Sequence, residues 1–172
     1  ITWNVDPVAF SIGSVTVRWY GLLFAVGFLL AVYMLGKIFK AEKYPDDWAD
    51  KTFLYIIVGV VIGARLAHVF FYDWAYYKDH LSEILMVWHG GLASHGGVLG
   101  GVIAMIFLAK KVMKKPLLWL GDRVFAVAGI TAACIRLGNL MNSEIYGHET
   151  TLPWGFKFLR DFHRLPAEAV PV

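Results

Sequence analysis

The chain has 172 residues, 58% of them hydrophobic and 17% charged. A soluble domain is about 45–50% apolar and about 25% charged, so this composition predicts an integral membrane protein. The net charge of +3 is too small to indicate a nucleic-acid partner, and the single cysteine excludes an internal disulfide and a cysteine-cluster metal site. The length fits one membrane domain over residues 1–172.

The first 18 residues mix polar and apolar side chains, and Pro7 argues against a continuous helix there. We expect an interfacial segment. The first membrane span is predicted at about 19–36, because the run is apolar and Trp19 and Tyr20 stand at its start, where aromatic anchors are usual.

The second span is predicted at about 52–72, which meets the requirement of about 20 residues for a membrane-spanning helix. Small residues recur in it every fourth position: Gly59, Gly63 and Ala67. Arg65 lies well inside the apolar run. It either extends to the membrane surface or faces inward, and we expect an inward-facing arginine that meets a buried anion or carboxylate.

A polar loop at 73–91 leads to the third span, predicted at about 92–109. The stretch Trp88–Gly101 combines a histidine and serine entrance with pairs of glycines at a spacing of four, which lets a second helix come close in lipid. His95 is either an interfacial histidine beside this packing surface or a residue with a chemical role.

The fourth span is predicted at about 117–136, because the apolar residues after Arg123 alone are too few to cross the bilayer. The remainder, 137–172, reads as a small extramembrane region. If the helix continued, Arg136, Asn139 and Ser143 would form a polar stripe on one face.

The lysines predict the orientation of the chain. Four follow each of spans one and three, whereas the loop between spans two and three has one. Cytoplasmic loops carry the excess of Lys and Arg, so we expect the N-terminus, loop 73–91 and the region after Arg136 to face outward. Tyr20, His95, Arg136 and Asn139 would then lie near the outer side.

An outward cluster of histidine, arginine, tyrosine and amide side chains suits an anionic lipid headgroup. Arginine binds phosphate oxygens through two parallel hydrogen bonds, and histidine can take a proton near neutral pH. The sequence has no zinc-protease helix motif, no nucleophile-elbow serine and no phosphate-binding loop. The six histidines have no metal-ligand spacing; we expect no metal and no cofactor.

Two motifs together resemble one family. Gly90-Gly91-Leu92-Ala93-Ser94-His95-Gly96-Gly97 resembles the histidine–glycine motif of prolipoprotein diacylglyceryl transferases. The run Arg136-Leu137-Gly138-Asn139, followed by Asn142, Glu144 and Gly147, resembles their signature. Gly63–Leu66 and Arg18–Leu22 also look like segments of this family, and the resemblance extends over about residues 7–155.

The resemblance implies a bacterial inner-membrane enzyme with its active site toward the periplasm. Such an enzyme moves the diacylglyceryl group of phosphatidylglycerol to the thiol of a prolipoprotein's lipobox cysteine. The product is a thioether, and glycerol phosphate is released.

The resemblance also implies roles for individual residues. His95 would be the base for the thiol or its close partner, and Arg136 would bind the lipid phosphate and stabilise the leaving group. Tyr20 matches the family tyrosine of the first span. Three more residues complete the implied substrate site: Asn139, Glu144 and Gly147. Arg65 would be a second cation in the cavity.

The chain departs from the family pattern in two places. His68 stands where the family often has tyrosine. The family also continues with further spans and another functional arginine, so we expect this chain to be a fragment.

Two other functions fit the same residues. A small channel or transporter could use the outward cluster to bind an anion, although the apolar inner halves of spans one and three favour a one-sided cavity. A different lipid-headgroup enzyme would usually show an acidic metal-binding motif, which the sequence lacks.

Overall fold

The computed structural model describes residues 1–87 and 90–161. Trp88, His89 and the part of the predicted outward region beyond residue 161 lie outside these ranges. Four helical segments are long and apolar enough to cross a membrane: Trp19–Ala41, Trp48–Tyr72, Ser94–Met113 and Leu117–Met141. The prediction of a polytopic helical membrane protein with four spans in this chain is confirmed.

The elements in chain order are β1 (Thr2–Trp3), β2 (Val8–Ile12), β3 (Val15–Arg18), α1 (Trp19–Ala41), α2 (Trp48–Ala67), α3 (Trp74–Tyr77), α4 (Ser94–Phe107), α5 (Leu117–Met141) and β4 (Lys157–Phe158). A π-helical turn, His68–Tyr72, continues α2, and a second one, Leu108–Met113, continues α4. A short 3₁₀ turn, Leu81–Leu85, lies in the loop before α4.

All four helical segments reach beyond the predicted spans at one end. Helix α1 ends at Ala41 rather than 36, and α5 ends at Met141 rather than 136. The segment that begins with α2 starts at 48 rather than 52, and the one that begins with α4 covers 94–113 rather than 92–109. An apolar run marks the part of a helix inside the hydrocarbon, whereas backbone hydrogen bonding continues through polar residues at the membrane surface.

The first 18 residues contain three short strands and no helix, which agrees with the prediction from Pro7 that no continuous helix forms there. Strands β2 and β3 make an antiparallel hairpin around Gly13, whose φ of +59° suits a tight turn. Strand β1 pairs in parallel with β4, with Thr2 opposite Lys157. Two-residue strands from distant parts of the chain leave no alternating pattern, which explains why the sequence did not predict them.

The chain divides into two compact units. The first contains Ile1–Ala31 and the chain from Val127 onward, and the second is Val32–Ala126. In the first unit, Oγ1 of Thr131 on α5 donates a hydrogen bond of 3.1 Å to the carbonyl oxygen of Gly27 on α1. A methyl group at Gly27 would lie 2.6 Å from Cβ of Cys134, so the two backbones are in close contact here.

The second unit is built on the contact between α2 and α4. A methyl group at Gly59 would lie 2.6 Å from the carbonyl oxygen of Gly100, and one at Gly63 would lie 2.8 Å from Cα of Gly100. Gly96 faces Gly63 and Ala67 in the same way. The predicted small-residue stripes of the two spans therefore pack against each other, which confirms their assignment as a helix-packing surface.

A charged cluster in the second unit accommodates the arginine that interrupts the fourth apolar stretch. Arg123 forms an ion pair with Glu42, with 2.8 Å between Nη2 and Oε2. Its guanidinium carbon lies 3.9 Å from the ring centroid of Trp119. The charge of Arg123 is thus paired within the protein, and the helix begins at Leu117 as expected.

The segment before α1 is tied to the chain after α5. The indole Nε1 of Trp3 donates to the carbonyl oxygen of Leu140 at 2.9 Å, which satisfies one of the free carbonyls at the end of α5. Asp6 accepts hydrogen bonds from the backbone N–H of Val8 and from Nη1 of Arg160, both at 2.9 Å. These two donors hold the pKa of Asp6 below its usual value, because both favour the carboxylate.

We expect substitution of the helix-contact glycines to destabilise the protein. In Gly59→Ala or Gly100→Ala the new methyl group meets backbone atoms that cannot rotate away, at a cost of about 1–3 kcal/mol. Gly129→Ala is the matched control, since no atom lies within 4 Å of the added methyl group. Thermal unfolding in detergent would measure the difference, and equal midpoints for the three variants would contradict this packing.

The Asp6 carboxylate gives a second prediction. Because its pKa is lowered on folding, its contribution to stability is complete above the ordinary carboxyl pKa of about 3.9 and is lost as the pH falls through the lower folded value. Wild type should therefore unfold at a higher temperature than Asp6→Asn at pH 6, and the gap should close in acid. Asp79→Asn, at an exposed aspartate, should show no such gap.

Candidate active site

Helix α1 begins against the last turn of α5, and this contact places the first predicted site residue. Tyr20 lies in the first turn of α1 and is half-buried. A methyl group at Gly138 would lie 2.8 Å from Cδ2 and 3.2 Å from Cα of Tyr20. Glycine is therefore required at 138 for the ring and backbone of Tyr20 to pack directly on α5.

Arg136 lies just before that contact, and few of its guanidinium N–H groups are hydrogen-bonded within the described residues. The side chain is exposed, and Nη1 donates one hydrogen bond of 3.3 Å to the carbonyl oxygen of Ile145. Within residues 1–87 and 90–161 it makes no ion pair. Most of its N–H groups thus remain able to bind two oxygens of an anion.

The carboxylate of Glu144 is held by two amides. Its Oε1 accepts from Nδ2 of Asn139 at 3.2 Å and from Nδ2 of Asn142 at 3.1 Å. Asn139 is only 5% exposed, and its backbone carbonyl oxygen accepts a hydrogen bond from the backbone N–H of Glu144. The end of α5 and the turn after it therefore form one hydrogen-bonded unit.

Ser143 departs from the predicted stripe. The helix ends at Met141, and Ser143 follows it with a left-handed φ of +56°. Its side chain is 2% exposed, and its Oγ has no hydrogen-bond partner in the described part of the chain, nor does Oδ1 of Asn142. The stripe thus stops at Asn139, because the turn rotates the next residues off the helix face.

Gly147 is exposed and has open space around it. No atom of residues 1–87 and 90–161 lies within 4 Å of a methyl group at this position, and its φ is not in the left-handed region. Nothing in the described part of the chain therefore requires glycine at 147. The role that the family resemblance gives it, in shaping a headgroup site, remains a prediction.

In the second unit, Arg65 faces inward as expected but meets a different partner. It is 3% exposed, and its ζ carbon lies 4.9 Å from the ring centroid of Tyr77. Its five N–H groups donate at 2.6–3.3 Å to the backbone carbonyl oxygens of Glu83, Ile84, Met86, Gly90 and Gly91. The predicted buried carboxylate is wrong, since among the described residues carbonyl oxygens and an aromatic ring surround the charge.

The loop that Arg65 holds is shaped by Gly90 and Gly91, with φ of +86° and +69°. A methyl group at Gly91 would lie 2.8 Å from both Nη1 of Arg65 and Nε2 of His68. The ring of His68 also stacks on Tyr72, with 5.9 Å between centroids. His68 therefore packs beside the loop, and these contacts indicate a packing role for its ring.

His95 stands in the first turn of α4 and is exposed. The backbone N–H of Ala93, two residues earlier, donates at 3.0 Å to the carbonyl oxygen of Ala64 on α2. No hydrogen bond to the imidazole occurs within the described residues. The ring is therefore available to a ligand, while the backbone that carries it is fixed to the neighbouring helix.

The structure thus brings four predicted site residues together in the first unit: Tyr20, Arg136, Asn139 and Glu144. Arg65 and His95 belong to the second unit, where one loop connects them. The sequence pattern indicated no specific role for Gly138 or Gly91, and it placed Ser143 on a helix face that the structure does not continue to that residue. Glycines in both family motifs could have signalled the first two, whereas Ser143 depends on a helix end that the pattern did not locate.

Comparison with known proteins gives a consistent result. Residues 7–171 match the family profile described as prolipoprotein diacylglyceryl transferase. The chain is 48% identical over 161 residues to the phosphatidylglycerol–prolipoprotein diacylglyceryl transferase of Porphyromonas gingivalis, covering 93% of this chain and 57% of that protein. It is 49% identical over 160 residues to the enzyme of the same name from Chloroherpeton thalassium, covering 93% of this chain and 60% of that protein. The chain thus spans a little under two thirds of the length of these curated relatives.

The two motif glycines provide a stability test of this site. Gly138→Ala should lower the free energy of unfolding by about 1–3 kcal/mol, because the methyl group meets the ring and backbone of Tyr20. Gly147→Ala should change it by less than about 0.5 kcal/mol, as an uncrowded surface substitution does. Thermal or denaturant unfolding in micelles would compare them. A larger effect at 147 than at 138 would contradict the contact between Tyr20 and α5.

Proposed function

Because the chain belongs to the prolipoprotein diacylglyceryl transferase family, we propose that the protein transfers the diacylglyceryl group of phosphatidylglycerol to the thiol of a prolipoprotein's lipobox cysteine. The observation that carries the proposal is the exposed, largely unpaired guanidinium of Arg136 beside the Asn139–Glu144 pair. An anionic phospholipid offers the phosphate oxygens that such a group binds. Family membership favours this function over an anion channel.

The reaction is a substitution at carbon. The cysteine sulfur forms a bond to the glyceryl CH₂ that carries the phosphate ester, and the carbon–oxygen bond to the phosphate breaks. The thiol proton passes to a base, and the electron pair of the broken bond leaves with glycerol phosphate. The substrate supplies its own nucleophile, so the protein has to supply binding, a base and charge stabilisation.

Arg136 binds the phosphate and stabilises the negative charge that grows on the leaving group. A preorganised donor of this kind typically contributes about 10²–10³-fold in rate. The Asn139–Glu144 pair fixes the turn whose Ile145 carbonyl holds Nη1 of Arg136. The ring of Tyr20 packs on the same helix end, and no described atom lies within 4 Å of a methyl group at Gly147, which leaves space there for the headgroup.

His95 accepts the thiol proton. A thiol with a pKa of about 8.5 is mostly protonated at neutral pH, and a neutral imidazole is the side chain best suited to take its proton. The exposed ring, free of hydrogen bonds to the described residues, suits this role. A positioned base of this type contributes about 10²–10⁴-fold.

The protein is a multi-pass membrane protein. We place it in the inner membrane of a bacterium, with the site toward the periplasm. The support is the distribution of lysines, four after each of the first and third spans and one between the second and third. The lipid reaches the site from the bilayer, and the prolipoprotein presents its cysteine at the outer surface.

A transfer assay tests this function. Protein expressed from its complete gene would be given labelled phosphatidylglycerol and a lipobox peptide. Wild type should move label to the cysteine, Arg136→Ala should lose about 10²–10³-fold and Tyr20→Phe about tenfold. Arg136→Lys keeps the charge but not the two parallel hydrogen bonds, so it should fall between wild type and alanine.

His95→Gln decides between a base and a scaffold. A loss of about 10²-fold or more identifies the base, whereas a loss below about tenfold assigns a positioning role. His80→Gln is the matched control, an exposed histidine outside the site that should keep full activity. Folded wild-type protein that moves no label would overturn the proposed function.

A further inference from the structure

The buried guanidinium of Arg65 is fully occupied by the protein itself. Its five N–H groups, all the donors an arginine has, go to five backbone carbonyls of residues 83–91. We propose that this arrangement, the Arg65 clamp, positions the start of α4 and with it His95, and that Arg65 does not bind the lipid phosphate. The proposal rests on the proposed function only in taking His95 as the group that acts on the thiol.

Burial of this charge needs compensation, and the loop supplies it. A charge removed from water is costly unless it is hydrogen-bonded, and so are buried carbonyls without partners. Among the described residues between Leu85 and Ser94, none belongs to a strand or an α-helix that would satisfy the loop carbonyls. The guanidinium of Arg65 and the loop carbonyls supply each other's hydrogen bonds, so the loop can take this conformation only around Arg65.

A short path leads from the clamp to His95. Gly91 is the last residue whose carbonyl Arg65 binds, and Ser94 begins α4 three residues later. Between them the N–H of Ala93 donates to the carbonyl oxygen of Ala64, the residue next to Arg65 on α2. The loop and the first turn of α4 are therefore attached to the same point of α2 from two sides.

The contrast with Arg136 separates positioning from binding. Arg136 is exposed and donates one hydrogen bond within the described chain, so it can bind a phosphate without losing protein contacts. A phosphate at Arg65 would have to displace these five carbonyl oxygens from its N–H groups. Lysine cannot replace the clamp, because an ammonium group has three donors and no planar fork.

Hydrogen exchange of Arg65→Lys tests the clamp directly. In protein expressed from its complete gene, peptides from residues 81–93 should exchange about 10- to 100-fold faster than in wild type, while peptides from α2 and α5 should not change. Arg136→Lys should leave all of these rates unchanged. Unchanged exchange at 81–93 in Arg65→Lys would overturn the proposal.

Two glycine substitutions in the loop also test the Arg65 clamp. Both Gly90 and Gly91 have left-handed φ, so alanine is strained at either position. Only at 91 would the methyl group meet Arg65 and His68, because no atom of the described residues lies within 4 Å of one at 90. Exchange of 81–93 should therefore be faster in Gly91→Ala than in Gly90→Ala, and equal rates would count against the clamp.

Kinetics and a spin label on α4 connect the clamp to His95. Arg65→Lys should lower kcat by about 10- to 100-fold with little change in KM for phosphatidylglycerol, as expected when an aligned group is misplaced. A nitroxide on Ser94→Cys, in a Cys134→Ala background, should become more mobile in Arg65→Lys. A raised KM with an unchanged nitroxide spectrum would make Arg65 a lipid ligand and overturn the proposal.

The exchange and nitroxide measurements need no transfer activity. If wild type is inactive but Arg65→Lys loosens residues 81–93 and the start of α4, the proposed function fails and the clamp stands. If wild type is active and these measurements do not change, the clamp fails and the proposed function stands.

Discussion

The contact between α2 and α4 is the constraint on which the second unit depends. Gly59 and Gly63 face Gly100 at distances that leave no space for a single methyl group on either helix. Apolar burial does not drive helices together in lipid, so close van der Waals packing of this kind has to supply the association. The contact also brings the backbone before α4 within hydrogen-bonding distance of α2, where Ala93 meets Ala64.

Two arginines near span ends illustrate how the environment decides the use of one side chain. Arg65 is enclosed by loop carbonyls and a tyrosine ring, so its guanidinium stabilises the fold and is not available to a ligand. Arg136 lies at the surface, where its charge remains available. The residue type alone suggested binding for both. Burial and the count of occupied donors distinguish them, and neither can be read from the local sequence.

The fold was predictable to the extent that it depends on apolar runs and local spacing. The four spans follow from hydropathy, and the contact of α2 with α4 follows from glycines repeated every fourth residue. The helix ends at Ala41 and Met141 were missed, because the backbone stays helical after the apolar signal has stopped. Strands β1 and β4 were missed since their pairing depends on residues far apart in the chain.

The proximity of the candidate site residues was predictable where a motif places them at one helix end, as with Arg136, Asn139 and Glu144. The partners of Arg65 were not, because backbone carbonyls have no residue type to recognise. The requirement for glycine at 138 was not predictable either, because it depends on the packing of Tyr20 from another helix.

The pairing of β1 with β4 has a consequence for synthesis. Thr2 finds its partner Lys157 only after about 155 more residues have been made, which takes roughly 8–30 s at the usual rate of translation. The α2–α4 contact requires a much shorter length of synthesised chain and can form during translation. Thr2 and Trp3 therefore pair with β4 later than α2 packs against α4, and in that interval the edge of β1 is exposed to chaperones and proteases.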